Sequence, residues 1–233
     1  MSQPLRFAAA LALPLVVCLL PAHAAQPSLS EALARLAPHA NPKVIALAVA
    51  ATECAAVQGE PQANRLAVID YSLPSTKPRL WVFDLAQRKL LYRELVAHGR
   101  NTGGNHATRF SNTPESHESS LGLFRTLGTY NGRNGYSLRM EGLEPGTNDN
   151  ALKRALVIHG ASYVSDDTAS KQGRIGRSHG CPAVRNAVAR PLIDTIKDGQ
   201  YLFSYYPDSG WLKRSPYLKC SGGRAMAAIL NAP

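Results

Sequence analysis

Three β-rich runs lie within residues 65–99, separated by short turn signals, and nothing else in the chain limits its possible folds so tightly. Residues 66–71 and 79–84 flank a turn containing Pro74, and a polar turn at 84–89 leads into 90–99. Runs this short with connections this tight predict a β-meander, and so a mostly antiparallel sheet or barrel. Strand-like runs recur at 119–126, 155–158 and 201–206. The fold class expected is mainly β with α elements: a sandwich or barrel-like domain with peripheral helices. Residues 100–119, rich in Asn, Gly, Thr and Ser, read as a long loop of the kind that often carries function. His98, His106 and His117 match no ligand spacing and read as solvated loop histidines. Residues 130–136 hold two turn signals and read as a flexible lid.

Helical signals flank this region. Ser28 with Glu31 makes an N-terminal cap, and Leu29, Leu33 and Leu36 share a face until Pro38. Asn41-Pro42 opens a second helix that runs to about Val57. Residues 184–196 have helical apolar spacing interrupted by Pro191, which predicts two turns joined by a kink. At the start, a short basic stretch, an almost wholly apolar run over 7–20 and Ala22-His23-Ala24 read as a secretory signal peptide cut after Ala24. The expected organisation is a signal peptide at 1–24, a helical segment packed on the domain at 25–62, the main domain at 63–207 and a tail at 208–233 with a weak apolar helix at 224–230. No second long apolar run follows, so no stable membrane insertion is expected once the signal is removed, and the protein is expected to be a monomer.

Charge and cysteine count narrow the setting. The formal net charge is +10, which favours anionic polymers as partners. Lys and Arg are scattered, without an arginine-rich arm or interleaved aromatics, so nucleic acid is not the expected partner. With Cys18 lost in the signal, Cys54, Cys181 and Cys220 remain, an odd number that suggests one pair and one free thiol in an oxidising compartment. A Cys54–Cys220 bridge would leave Cys181 free. In the chain-entropy picture a bridge closing so long a loop stabilises by about 4 to 5 kcal/mol.

Cys181 sits in a polar turn, after Ser178-His179-Gly180 and before Pro182, where a merely packed Cys finds little to pack against. His159 ends the apolar run 155–158 and is the candidate base that would activate the thiol. Gly160 leaves room beside the ring, and Gly180 lets the backbone aim successive N–H groups at a developing oxyanion. A zinc site using His159, His179 and Cys181 is chemically possible, but no CxxC or HExxH spacing supports it, so no metal or cofactor is expected. A papain-like protease has Cys before His, whereas here His159 precedes Cys181. Arg133 and Arg139 are candidates for pairing with substrate carboxylates, and ordinary solvated arginines are the equal alternative.

Ile158-His159-Gly160 followed by Ser178-His179-Gly180-Cys181 resembles the signature of the L,D-transpeptidases, the YkuD-type catalytic domain, in its divergent murein branch. The likeness extends over roughly residues 65–207, through Trp81-Val82-Phe83-Asp84, Gly122-Leu123-Phe124-Arg125-Thr126 and Gly135-Tyr136-Ser137-Leu138-Arg139. It implies Cys181 as the acylated nucleophile, His159 as its base, Gly180 and Cys181 amides as the oxyanion hole, and Ser178 and His179 as shapers of the turn. His179 is expected to orient its neighbours, with direct proton transfer as the alternative. The family's substrate-holding Arg two residues after the Cys is absent, and Arg185, four residues after, is the candidate for that role. Tyr136, Arg133, Arg139 and Gly160 complete the expected substrate side. The resemblance implies peptidoglycan stem peptides as partners and a periplasmic or secreted location. It also implies a Cys thioester resolved by an amine (transpeptidase) or by water (L,D-carboxypeptidase). A related amide hydrolase and a catalytically silent wall-binding module are the alternatives.

Overall fold

The computed structural model describes residues 26–220. The expected signal peptide and the expected helix at 224–230 lie outside the described residues. Eight strands form one sheet: β1 Arg65–Asp70, β2 Leu80–Asp84, β3 Lys89–Glu94, β4 Gly122–Gly132, β5 Gly135–Gly142, β6 Val157–Ala161, β7 Ala183–Arg185 and β8 Tyr201–Tyr205. Their order is β3-β2-β1-β8-β4-β5-β6-β7. The meander β1-β2-β3 and the hairpin β4-β5 are antiparallel, whereas β1 with β8 and β6 with β7 are parallel. Just past β3, Ala97 bridges Ala183 of β7, its N–H donating to the Ala183 carbonyl at 2.8 Å. The two ends of the sheet therefore meet, and it curls into a nearly closed barrel.

Apolar side chains drive the closure. Trp81, Phe83, Phe124, Phe203 and Tyr201 are fully enclosed, and β2 and β8 are buried along their whole length, as strands covered on both faces must be. α1 (Leu29–Leu36) starts at Ser28 with a capping box to Glu31. α2 (Pro42–Val57) is apolar nearly all round, with Ile45, Leu47, Ala48 and Ala51 inaccessible, so it is part of the core. α3 (Asp166–Gln172) is short, and α4 (Asn186–Ile196) lies on β6. Pro191 sits inside α4 as one continuous helix, where two kinked turns were expected. No described helix is long and apolar enough to cross a membrane.

The segment after β8 is folded in. α5 (Ser209–Arg214) and a 3₁₀ turn (Pro216–Leu218) bury Trp211, Tyr217 and Leu218. Trp211 Nε1 donates to Glu144 Oε2 at 2.8 Å, while the Leu123 N–H donates to Oε1 at 2.8 Å, so one enclosed carboxylate joins this segment to the start of β4. Cys54 on α2 is bonded to Cys220, with 5.3 Å between Cα atoms, and Cys181 is free.

Candidate active site

Parallel pairing of β6 and β7 sets His159 opposite Ala183, two residues past Cys181. The thiol therefore lies at the mouth of β7 against the beginning of the His159 strand. Cys181 is 8% exposed, and its Sγ accepts from the Val157 N–H at 3.5 Å and donates to the Ala155 carbonyl at 3.8 Å. His159 Nδ1 stands 2.9 Å from the Gly160 carbonyl. A carbonyl only accepts, so the ring proton sits on Nδ1 and Nε2 keeps its lone pair, the state a base needs. Burial lowers the His159 pKa and keeps the ring neutral, the Gly160 bond opposing weakly. Burial also raises the thiol pKa, against the Val157 N–H and then the Arg154 cation. A thiol already ionised in the free protein is therefore not what this pocket creates. Sγ is hydrogen-bonded to backbone groups and not to the His159 ring.

Ser178 builds the turn. Its hydroxyl donates to the Cys181 carbonyl at 2.6 Å and accepts from the Gly180 N–H at 3.1 Å. The Gly180 amide, expected in the oxyanion hole, thus donates to Ser178 Oγ in this state. Gly180 has φ of 118°, and a Cβ there would stand 2.8 Å from the Glu118 carbonyl, so only glycine fits. Ser119 Oγ donates to the Gly180 carbonyl at 3.0 Å and accepts from the Gly99 N–H, tying the long loop to the turn.

A family model described as the L,D-transpeptidase catalytic domain matches residues 36–205. The chain belongs to that family. Among solved structures, an L,D-transpeptidase from Mycobacterium smegmatis is similar at 14% identity and a TM-score of 0.40, over 62% of this chain and 60% of that one. An L,D-transpeptidase from Mycobacterium tuberculosis H37Rv gives 13% identity and 0.37, over 62% and 59%. A protein from Clostridium acetobutylicum described as a fused Zn-dependent amidase, peptidase and peptidoglycan-binding domain protein gives 21% and 0.38, over 71% and 62%. The matched region thus spans about three-fifths of these structures. No curated protein matches this chain in sequence.

Within this L,D-transpeptidase-family domain, several residues expected on the substrate side make contacts inside the protein. Arg185 donates from Nε and Nη2 to both oxygens of Glu94, each at 2.8 Å, and so fastens β7 to β3 across the barrel seam. Gly160 faces α4: a Cβ there would stand 2.7 Å from Asn186 Oδ1 and 2.9 Å from Ala189 Cβ, so the glycine lets the helix approach. Tyr136 donates to Asp194 Oδ1 at 2.6 Å beneath the Arg190 guanidinium, and Arg139 stacks on Tyr130 at 4.1 Å. The expected lid is the tip of the paired β4-β5 hairpin, where Arg133 is exposed and its charge reaches His179.

Arg154, which the sequence did not single out, and the loop histidines surround the Cys181 turn. Arg154 donates from Nη1 to the Ser111 carbonyl and Ser120 Oγ, and from Nη2 to Ser116 Oγ and the Glu118 carbonyl. His98 is buried beside Arg79, and His117 stacks on His179 with ring centroids 4.5 Å apart, so neither is the solvated loop histidine expected. His179 is exposed, and partial desolvation followed by the facing His117 lowers its pKa. The Lys153-Arg154 pair reads as surface charge in sequence, and a lone loop histidine carries no spacing signal. Among the described residues no cluster of three or more His, Cys, Asp or Glu side chains is arranged to hold a metal.

Proposed function

We propose that the protein is an exported cysteine acyltransferase acting on peptidoglycan stem peptides, an L,D-transpeptidase working through a thioester on Cys181. Cys181 Sγ transfers its proton to His159 Nε2 and attacks the carbonyl of the L-configured centre of a stem tetrapeptide. The C–N bond to the terminal D-residue then breaks, and the leaving amine takes the proton from His159. An acceptor amine attacks the thioester and loses its proton to His159; the C–S bond breaks, the cross-linked product leaves, and His159 returns the proton to the Cys181 thiolate. The oxyanion faces the Cys181 and His179 amides, donors held by the Ser178 turn.

The observation that carries this reading is the His159 tautomer fixed by the Gly160 carbonyl, on the strand next to the free thiol. Export is supported by the Cys54–Cys220 bridge, since such bonds persist in oxidising compartments. Mass spectrometry of muropeptides incubated with the purified protein tests the proposal. New cross-linked dimers that depend on Cys181 are expected. Loss of the terminal D-residue without dimers would make the enzyme a carboxypeptidase, and unchanged muropeptides would reject the substrate class.

A further inference from the structure

Beside the catalytic turn lies a cleft of about 160 Å³ lined by Glu115, His117, Arg154 and His179, and the acyl-transfer steps leave its charges unused. Arg100 stands behind it, with Nη2 2.8 Å from His117 Nδ1. A guanidinium only donates, so Nδ1 accepts and the His117 proton lies on Nε2. That N–H is 3.8 Å from Glu115 Oε2, the one acid among the lining residues, and Glu115 is 93% exposed. Its carboxylate is drawn to the cleft with almost no packing to hold it. The four Arg154 bonds all go to neutral carbonyls and hydroxyls, and no carboxylate is hydrogen-bonded to it, although the charges of Glu118 and Glu115 reach it. Arg133 adds its field from the hairpin tip. Glu118 is paired with Arg109, so Arg100, Arg133 and Arg154 together outweigh Glu115.

We propose that this cleft binds the free terminal carboxylate of the donor stem peptide, the one on the residue released when Cys181 is acylated. The inference rests on the peptidoglycan reading above and specifies which end of the substrate lies where. Reach selects that carboxylate. It lies one residue beyond the scissile carbonyl, about 4 Å along the chain. The cleft adjoins the reacting turn: His179 lines it, and Arg154 Nη2 is 3.4 Å from where a Cβ on Gly180 would sit. Carboxylates farther up the stem start on the opposite side of the scissile bond. His117 Nε2–H is the directed donor, Arg100 and Arg154 supply charge, and Glu115 competes for the place. The enzyme therefore discriminates for stems whose departing residue ends in a free carboxylate.

The test uses the Cys181→Ala protein, which cannot turn over, titrated by calorimetry with an N-acylated stem tetrapeptide and with its C-terminal carboxamide. The carboxamide is expected to bind about tenfold more weakly, the scale of one charge-assisted contact. Adding His117→Gln or Arg100→Gln is expected to close most of that gap by weakening the acid alone. Glu115→Gln, at an exposed position, is expected to tighten the acid severalfold and leave the carboxamide unchanged. Equal affinity for both peptides, or a gap that no cleft variant alters, overturns this assignment and leaves the acyl-transfer proposal standing. Failure of both peptides to bind removes the stem-peptide reading and this inference with it.

Discussion

Arg154 couples the chemistry of the thiol to the loop above it. Its guanidinium orders residues 111–120 through four hydrogen bonds while its charge opposes the rise that burial imposes on the Cys181 pKa. Charge and scaffolding separate by substitution. Arg154→Gln is expected to move the midpoint of Cys181 alkylation against pH upward, with Arg154→Lys falling between. Equal profiles for the Gln and Lys variants would assign Arg154 to scaffolding alone. Cys181 and His159 were legible in the sequence because their flanks are abnormal for packed residues: a polar Gly-Cys-Pro turn, and an imidazole closing an apolar run. Arg154 was not, because nothing local distinguishes an arginine whose partners are loop carbonyls from one in water. The pairing of Arg185 with Glu94 was hidden for a related reason, since the two are remote in sequence.

At the scale of elements, the meander was readable because each strand has its own apolar pattern and turn residues. β7 was not, since three residues carry no periodicity and their pairing depends on where β6 arrives. The loop after β3 is held by groups that look solvated in sequence. Arg79, just ahead of β2, is fully enclosed and donates to the Val96 and Leu73 carbonyls and to His98 Nδ1, the last at 2.8 Å. His98 then donates from Nε2 to the Gly104 carbonyl at 3.1 Å. Burial, then the Arg79 charge, lowers the His98 pKa to about 3. A folded pKa depressed below the unfolded value of about 6.5 makes the unfolded chain the stronger proton binder, so this contribution is whole above that pH and falls as acid is added. Between pH 7 and pH 5 the loss is about 2 kcal/mol. Urea denaturation at the two pH values is expected to show that loss, and His98→Gln is expected to reduce the slope by this amount; an unchanged slope would mean that His98 does not titrate on unfolding.

For the molecule as a whole, closure is the organising fact. The Ala97–Ala183 bridge and the Arg185–Glu94 pair join the ends of the sheet next to the Cys181 turn, so barrel integrity and the geometry of the candidate site are one property. Cysteine parity pointed to the Cys54–Cys220 bond, whereas the return of Trp211 onto the Glu144 carboxylate had no signal in the apparent tail. The bond spans 166 positions. In the chain-entropy picture a loop of that length contributes about 5 kcal/mol, so denaturation with and without reductant is expected to differ by up to roughly that amount while Cys181 stays unbridged. The central claim, that Cys181 carries the acyl group and His159 moves its proton, is tested most directly by intact-protein mass after brief exposure to a stem tetrapeptide. The account predicts an adduct equal to the peptide minus its terminal residue, mapped to Cys181, absent in Cys181→Ala and formed far more slowly in His159→Gln. An adduct that survives Cys181→Ala, or that forms at the parent rate in His159→Gln, would contradict it.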